Sequence, residues 1–306
     1  MGGIIKTLEA LNSIAGIEVE LNHDLTKFST MRLLAAGDLI TVSSVEALAQ
    51  LQIELQKLKI TPIILGLGAN QILEKKASKP YLHLELPFDK SYLGKVRDAY
   101  TLPASVSLSI LSSHAIKNGL LGWEVFTGIP ASLGGAVFMN AGTNLGEIGS
   151  IVKSVKLMTI NGDIRTEVIG SDSFSYRHNH FVKPGEVIFE VELIQLGIDP
   201  SISKKIKDYL ELRNRSQPLK ENTCGCMFKN FKDLSTTCLA GQFLDILGMK
   251  GFTVNGIRVS PQHANFMENV GNASHEEVVA IVKLVQAELK LQFGIEFETE
   301  VKMPKS

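Results

Sequence analysis

Five short stretches of this sequence carry residue types that bind or react. Residues 65–73 read LGLGANQIL. A strand running into Gly-x-Gly lets backbone N–H groups approach phosphate oxygens, because no Cβ stands between. The same letters also describe a plain strand-to-loop turn. The third glycine and the following helix of a dinucleotide fingerprint are missing. Residues 122–142 read GWEVFTGIPASLGGAVFMNAG, with Gly128, Gly134, Gly135 and Gly142 beside Ser132 and Asn140. One reading is a packed glycine-rich hairpin. The other is a cradle for a large cofactor whose pyrophosphate is met by backbone donors. In FSYRHNHF, 174–181, Arg177 sits in a turn between expected strands, where a surface arginine is the ordinary case. His178 and His180 form H-x-H, but no Asp, Glu or Cys stands at a spacing that completes a metal site. TCGCMFKN, 223–230, holds Cys224 and Cys226, and Cys238 is the only other thiol. Four sulfur ligands are therefore impossible. Two small buried thiols, or one accessible catalytic thiol on a polar loop, remain open. Glu300, in ETEV, reads locally as a solvated carboxylate.

These residues need elements to hold them. The chain of 306 residues has room for two or three domains. Residues 39–42 read as a buried strand. Ser43 and Glu46 read as a capping box, opening a helix with apolar residues at 45, 48, 51, 55 and 58. ITPIILGLGAN follows as a strand into a glycine turn, making a strand–helix–strand unit. Residues 104–119 read as a helix ending at Gly119. Residues 151–169 read as a hairpin about Asn161-Gly162-Asp163, and 187–196 as a further strand. Helices are expected over 202–213, around 240–247, and from a capping box at Ser274 and Glu277 to about 292. GIEFETEVKM reads as a final strand. The Asp199-Pro200 step is the natural boundary.

Composition narrows the function class. Hydrophobic residues make up 44%, charged residues 21%, and the net charge is −1. No basic excess points to nucleic acid or an anionic membrane. Met1 to Glu20 lacks the apolar core of a signal peptide, and Lys6 stands where a myristoylation signal has Ser or Thr. No run approaches the roughly 18 apolar residues of a membrane span. Three cysteines fit a reducing cytoplasm better than a disulfide scaffold.

Taken together and in order, the motifs resemble the UDP-N-acetylenolpyruvoylglucosamine reductase (UDP-N-acetylmuramate dehydrogenase) family, flavoenzymes of bacterial cell-wall synthesis. The resemblance runs from about Leu25 to Met303. It is carried by L-x-x-F-S-T at 25–30, GLGAN at 66–70, GIPASLGG at 128–135, MNAG at 139–142, YR at 176–177, R-x-x-x-Q-P at 213–218, CGCMFKN at 224–230, MKG at 249–251, HANF at 263–266 and E-V at 300–301. Each is unremarked alone; the ordered set is specific.

The resemblance implies an α+β fold. An FAD-binding region of PCMH, vanillyl-alcohol-oxidase-like type would cover 1–198, as two α/β subdomains over about 1–83 and 84–198. An α+β substrate-binding domain would cover 199–306. It also implies that NADPH reduces FAD and leaves, and that the flavin then reduces the enolpyruvyl group of a UDP-sugar. Arg177 and Glu300 match the positions that meet the developing charge, and Cys226 matches the proton donor, commonly serine. Gly66, Leu67, Gly68, Ala69, Asn70 and Gln71 fall in the cofactor-binding positions. So do Gly128, Ile129, Pro130, Ser132, Gly134 and Gly135, then Asn140, Ala141, Gly142 and Arg213. Tyr176, Asn230, Lys250 and His263 match contacts to the sugar nucleotide or its carboxylate, as Asn70 also does. No metal is implied. The segment between Leu196 and Ser203 is short, so the substrate-covering tyrosine loop of the longer class is absent. A cytoplasmic monomer is expected, with no nucleic-acid or membrane partner.

The departures are Ala36-Gly37 for a double glycine, Ala69 for a serine, Ala131 for a glycine and Asn179 for a serine. They would weaken flavin binding or reshape turns, and none removes a catalytic group. Two rival readings are another flavin oxidase of the superfamily and a non-catalytic flavin-binding relative. The C-terminal CGCMFKN, HANF and E-V set argues against the first. Retention of Arg177, Cys226 and Glu300 together argues against the second.

Overall fold

The computed structural model describes residues 8–232 and 237–304. Met1, Gly2 and Lys6, on which much of the N-terminal reading rests, lie outside the described residues. Helices and strands alternate in two compact units that interleave along the chain. One unit takes Met1–His23, Asp38–Leu67 and Lys79–Leu210. The other takes Asp24–Gly37, Gly68–Ser78 and Glu211–Ser306. The last crossing falls between Leu210 and Glu211, within the helix Ile202–Ser216, whereas the linear boundary is expected at 198/199.

In the first unit, β1 (Ile17–Asp24), β2 (Ala36–Val42), β3 (Ile63–Leu65) and β4 (Tyr81–Leu84) form a sheet in the order β1-β2-β4-β3. Strands β2, β4 and β3 run parallel. Parallel neighbours need a crossover, and the helix Val45–Leu58 supplies it, burying Leu48, Leu51 and Leu55. Ser44 caps this helix, its hydroxyl accepting from the Ala47 N–H. The expected box at Ser43 and Glu46 thus gives way to a simple cap one residue on. Ser43 lies one residue outside the cap, and its hydroxyl donates to the Gly16 carbonyl at 3.2 Å.

A second sheet in this unit begins with β5 (Ala99–Pro103). Next comes a two-rung hairpin, β6 (Gly142–Thr143) with β7 (Gly146–Glu147). Then β8 (Val152–Met158) and β9 (Ile164–Val168) pair about the Asn161-Gly162-Asp163 turn. A second small hairpin, β10 (Phe174–Ser175) with β11 (His178–Asn179), carries Tyr176 and Arg177 at its tip. Strand β12 (Val187–Ile194) completes the antiparallel order β5-β12-β8-β9. Against this sheet packs the helix Leu108–Asn118, which starts at 108 rather than 104 and ends on left-handed Gly119. Trp123 is fully buried, with Tyr100 and Phe126 edge-on at centroid distances of 4.7 and 5.3 Å. Such pairs add roughly 0.5–1.5 kcal/mol each beyond burial.

The glycine-dense stretch is not a hairpin. It is a 3-10 turn, Trp123–Phe126, followed by a short helix, Leu133–Phe138, capped by Ser132.

The second unit is built on β13 (Thr223–Cys226), with a small pair β14 (Phe231–Lys232) and β15 (Thr237–Cys238). Strands β16 (Thr253–Val254), β17 (Ile257–Val259) and β18 (Phe266–Asn269) give a sheet ordered β13-β18-β17-β16. The helix His275–Phe293, opened by the Ser274–Glu277 capping box, buries Val278, Ile281, Val282, Val285 and Leu289 on this core. Residues 295–304 do not form the expected strand. They make two isolated bridges, Phe228 to Thr299 and Gln71 to Lys302. Their partners are short segments, so no ladder extends. Among the described residues, no helix is long and apolar enough to cross a membrane.

The displaced cap is testable. Ser44→Ala should lower stability by about 1 kcal/mol, and Ser43→Ala by less than about 0.5 kcal/mol, in urea unfolding. Equal losses would restore Ser43 as the cap.

Candidate active site

Two clusters of the predicted residues form, one in each unit. In the first unit, the Gly66 turn lies against Ser132: a Cβ on Gly66 would stand 2.8 Å from the Ser132 hydroxyl oxygen. The two glycine motifs therefore meet, although they are far apart in sequence. Ser132 Oγ accepts from the Gly135 N–H at 3.4 Å. Gly134 has a packing reason as well, since a Cβ there would lie 2.7 Å from Ala104 Cβ. Ala131 adopts no positive φ, so its departure from glycine brings no backbone strain.

Asn140 is buried and left-handed, with φ 43°. Its amide is engaged by the protein itself. Nδ2 donates to Glu147 Oε2 at 2.8 Å and to the Ser175 carbonyl at 3.0 Å, and Oδ1 accepts from the Gly149 N–H at 3.1 Å. Arg177 is also left-handed, φ 56°, at the tip of the β10–β11 hairpin. A side chain there costs roughly 1–2 kcal/mol, which the contacts of the hairpin must offset. Arg177 Nη2 donates to the Gly142 carbonyl at 2.9 Å, and its guanidinium lies 4.9 Å from the Tyr176 ring centre. Asn179 ties the hairpin down, donating to the Phe138 carbonyl at 2.7 Å and accepting from the Val182 N–H at 2.9 Å. That departure from serine therefore has a structural use. His178 and His180 meet edge to face with ring centres 4.7 Å apart, and no group of three or more metal-ligating side chains occurs among the described residues.

In the second unit, Asn70 and Glu300 are joined by hydrogen bonds, and Glu300 is tied to the residue after Cys226. The Glu300 N–H donates to the Met227 carbonyl at 2.8 Å, next to Cys226. Asn70 Nδ2 donates to the Glu300 carbonyl at 3.2 Å. Gly68 has φ 62°, and a Cβ there would stand 1.9 Å from the Phe28 carbonyl oxygen, so no other residue fits. Ala69, by contrast, adopts no positive φ.

Cys224 and Cys226 differ sharply. Across the sheet, Thr223 faces Glu268 and Cys226 faces Phe266, so β13 holds one residue more than β18 between the rungs. Gly225, φ 85°, takes that bulge. The bulge takes the two thiols out of simple alternation. Cys224 is buried against Met31, and burial pushes its pKa up to about 12. Cys226 is partly exposed, and neither forms a disulfide.

The remaining predicted groups are on this unit's periphery. Arg213 Nε donates to Gln217 at 2.8 Å. Asn230 Oδ1 accepts from the Ala240 N–H at 3.1 Å, and Lys250 pairs with Asp245 at 2.8 Å. His263 Nδ1 accepts from the Asn265 N–H at 3.2 Å, so the proton of the neutral ring sits on Nε2. Burial holds its pKa below the usual value, which keeps it a neutral donor at pH 7. Two residues escape sequence reasoning. Buried Asn265 clamps the segment after Cys226, its Oδ1 accepting from the Phe228 N–H and its Nδ2 donating to the Phe228 carbonyl, both at 2.9 Å. Glu147 stands beside Asn140 and Arg177. Asn265 lies inside HANF, where the histidine draws notice first; Glu147 carries no local signal.

Comparison with known proteins decides the family. The C-terminal domain model of UDP-N-acetylenolpyruvoylglucosamine reductase matches residues 217–304. The reductase of that name from Heliobacterium modesticaldum is 32% identical over 91% of this chain and 88% of its own. That from Chlamydia pneumoniae is 30% identical over 91% of this chain and 90% of its own. The chain belongs to the UDP-N-acetylenolpyruvoylglucosamine reductase family. Its members are flavin-dependent oxidoreductases of peptidoglycan-precursor synthesis, so the chain is an enzyme of that class. The crystal structure of the Thermus caldophilus UDP-N-acetylenolpyruvylglucosamine reductase superposes with a TM-score of 0.76 at 27% identity, over 94% of this chain and 99% of that one.

The residues present fit the family's flavin. Among the described residues, the N–H groups of Gly68, Ala69, Asn70 and Gln71 donate to no protein acceptor. Thr30, whose N–H donates to the Gly68 carbonyl at 3.3 Å, has a buried Oγ1 with no hydrogen-bond partner. A buried hydroxyl and a row of open N–H groups suit the oxygens of a phosphate.

The two thiols separate in a labelling experiment. Brief iodoacetamide treatment of folded protein at pH 8 should modify Cys226 and spare Cys224, read by peptide mass spectrometry. Equal labelling would contradict the burial difference.

Proposed function

We propose that this chain reduces UDP-N-acetylglucosamine-enolpyruvate to UDP-N-acetylmuramate, with FAD bound and NADPH as the reductant. The observation that supports the reading is that Asn70 bonds the Glu300 carbonyl while the Glu300 N–H bonds the carbonyl of Met227, the residue after Cys226. The family supplies the reaction class. When bound, the flavin supplies hydride transfer, from NADPH to the cofactor and from it to the vinyl terminus of the substrate.

The loop Gly66–Gln71, the turn Gly128–Gly135 with Ser132, the segment Asn140–Gly142, and Arg213 hold the cofactor. For Asn140 the contribution is indirect, since its amide bonds its own neighbours. Tyr176, Asn230, Lys250 and His263 bind the sugar nucleotide. Its anionic phosphates suit Lys250, and a neutral His263 offers one N–H. The region 1–198 serves the flavin and 199–306 serves the substrate. The enzyme acts as a cytoplasmic monomer, with no nucleic-acid or membrane partner.

Hydride addition at the vinyl terminus leaves enolate charge on the adjacent carbon and its carboxylate. Arg177 meets that charge with a fixed guanidinium, the kind of preorganised electrostatics that lowers a barrier most. Glu300 donates a hydrogen bond there, which requires it protonated or sharing a proton with the substrate carboxylate. Cys226 then gives its thiol proton to the adjacent carbon and recovers one from solvent. A thiol, with a reference pKa of about 8.5, is a stronger acid than the serine hydroxyl common in relatives.

Purified protein should show flavin absorbance, alone or after added FAD, and oxidise NADPH faster with the enolpyruvyl sugar nucleotide. Colourless protein would remove the cofactor, and indifference to that substrate would remove the substrate. Cys226→Ala should accept hydride from NADPH at the normal rate and lose at least about 100-fold in the second half-reaction. Cys226→Ser should regain much of that loss and resist thiol reagents. Unchanged turnover in Cys226→Ala would overturn the proton-donor role.

A further inference from the structure

Gly142 lacks a side chain for a reason other than a cofactor. It pairs with Glu147 across the β6–β7 hairpin. A Cβ on Gly142 would stand 2.8 Å from Glu147 Cγ and 2.7 Å from the Gly146 carbonyl oxygen. The glycine leaves the space in which the Glu147 side chain stands. That side chain reaches two of the chain's site residues. Its Oε2 accepts from Asn140 Nδ2 at 2.8 Å, and its Oε1 lies 3.7 Å from Arg177 Nη1. The backbone of the same rung holds the arginine as well, through the Gly142 carbonyl and Nη2 at 2.9 Å.

We infer that Glu147 is a positioning residue for Arg177. This rests on the proposal that Arg177 meets the charge on the substrate. Arginine has a long side chain with many rotamers, and an arginine that must meet developing charge needs most of them removed. Groups on both hairpins help to remove them. The Gly142 carbonyl fixes Nη2, Glu147 attracts Nη1, and the Tyr176 ring lies against the guanidinium. The carboxylate is itself held. Asn140 grips its other oxygen, and Asn140 is in turn fixed by the Gly149 N–H and by the carbonyl of Ser175. Ser175 is the last strand residue before the Tyr176–Arg177 tip. A closed circuit thus joins the two hairpins: Arg177 to Glu147, Glu147 to Asn140, Asn140 to Ser175, and the chain back to Arg177.

The geometry divides the work between the two carboxylate oxygens. A distance of 3.7 Å is an ion pair and not a hydrogen bond. Charge, rather than a shared proton, is what Glu147 gives the arginine. The hydrogen bond to Asn140 is the part an uncharged amide can replace. Glutamine at this position would keep an acceptor for Asn140 while losing the attraction for Nη1.

The test uses the FAD-loaded enzyme and follows its two half-reactions by flavin absorbance. Arg177→Ala comes first: it should slow oxidation of reduced flavin by the enolpyruvyl sugar nucleotide and leave reduction by NADPH intact. If it does not, the role of Arg177 fails and the inference with it. Given that loss, Glu147→Ala should slow the same step ten- to a hundred-fold, and Glu147→Gln should melt like the parent yet remain slow. In the Arg177→Ala background, Glu147→Ala should add little further loss. Full speed in Glu147→Gln, or equal losses in both backgrounds, would overturn the positioning role while leaving that of Arg177 standing.

Discussion

The second unit depends on how the chain's last residues are held. Four backbone bonds do it: Lys229 to the Glu298 carbonyl, Glu300 to the Met227 carbonyl, Ile72 to the Lys302 carbonyl and Lys302 to the Asn70 carbonyl. Hydrogen bonds alone are insufficient, because each contributes about 1 kcal/mol net while fixing each residue costs about 1–2 kcal/mol. Burial of Phe297 and Val301 makes up the difference, at roughly 1.5–3 kcal/mol each. The tail is therefore an apolar anchor with a polar residue between its anchoring points. Glu300 is that residue. Its position beside Met227 and Asn70 follows from the two hydrophobes that flank it.

The first unit solves a different problem. Arg177 stands on a tight turn, where a long flexible cation has no intrinsic direction. Direction comes from a second hairpin, Gly142–Glu147, and from the Asn140 amide that connects the two. Each piece is small, and neither hairpin offers enough apolar surface to fold alone. They are fixed because Ile148, Ile151 and Phe181, which flank them, enter the large core around Trp123. Core packing and guanidinium geometry are thereby coupled. A cavity made near Trp123 would disturb the hairpins as well as the core.

Much of the fold was legible in the sequence, for identifiable reasons. The helices Val45–Leu58 and His275–Phe293 have clean apolar periodicity and polar caps, and the β8–β9 hairpin has its Asn-Gly-Asp turn. The final strand was misread because β-branched and aromatic residues there serve burial, while their pairing partners are too short for a ladder. The short helix within the glycine-dense stretch was not legible, because Gly134 weakens a helix on propensity. Close approach to Ala104 outweighs that preference. The site was legible as ordered motifs, not as geometry. Nothing near Glu300 reveals its pairing with Met227, which spans most of the second unit's sequence. Glu147 was silent because its signal is the missing Cβ of Gly142, visible only across the hairpin.

The two thiols show why local letters are not enough to assign chemistry. Cys-Gly-Cys is symmetric as text, and a regular strand would give both cysteines the same face. The bulge at Gly225 breaks that symmetry. Cys224 enters the core beside Met31, where ionisation is suppressed by burial and the thiol acts as a small hydrophobe. Cys226 emerges at the rung facing Phe266, one residue before the carbonyl that holds Glu300. Asn265 then locks the following residue on both its N–H and its carbonyl, so the strand cannot slide to exchange one thiol for the other. A one-residue slip would present Cys224's neighbour instead and bury a polar backbone group without a partner, which costs about 1–3 kcal/mol for each group left unmet. The bulge and the Asn265 clamp together choose which sulfur is available for chemistry, and the sequence between them leaves that choice open.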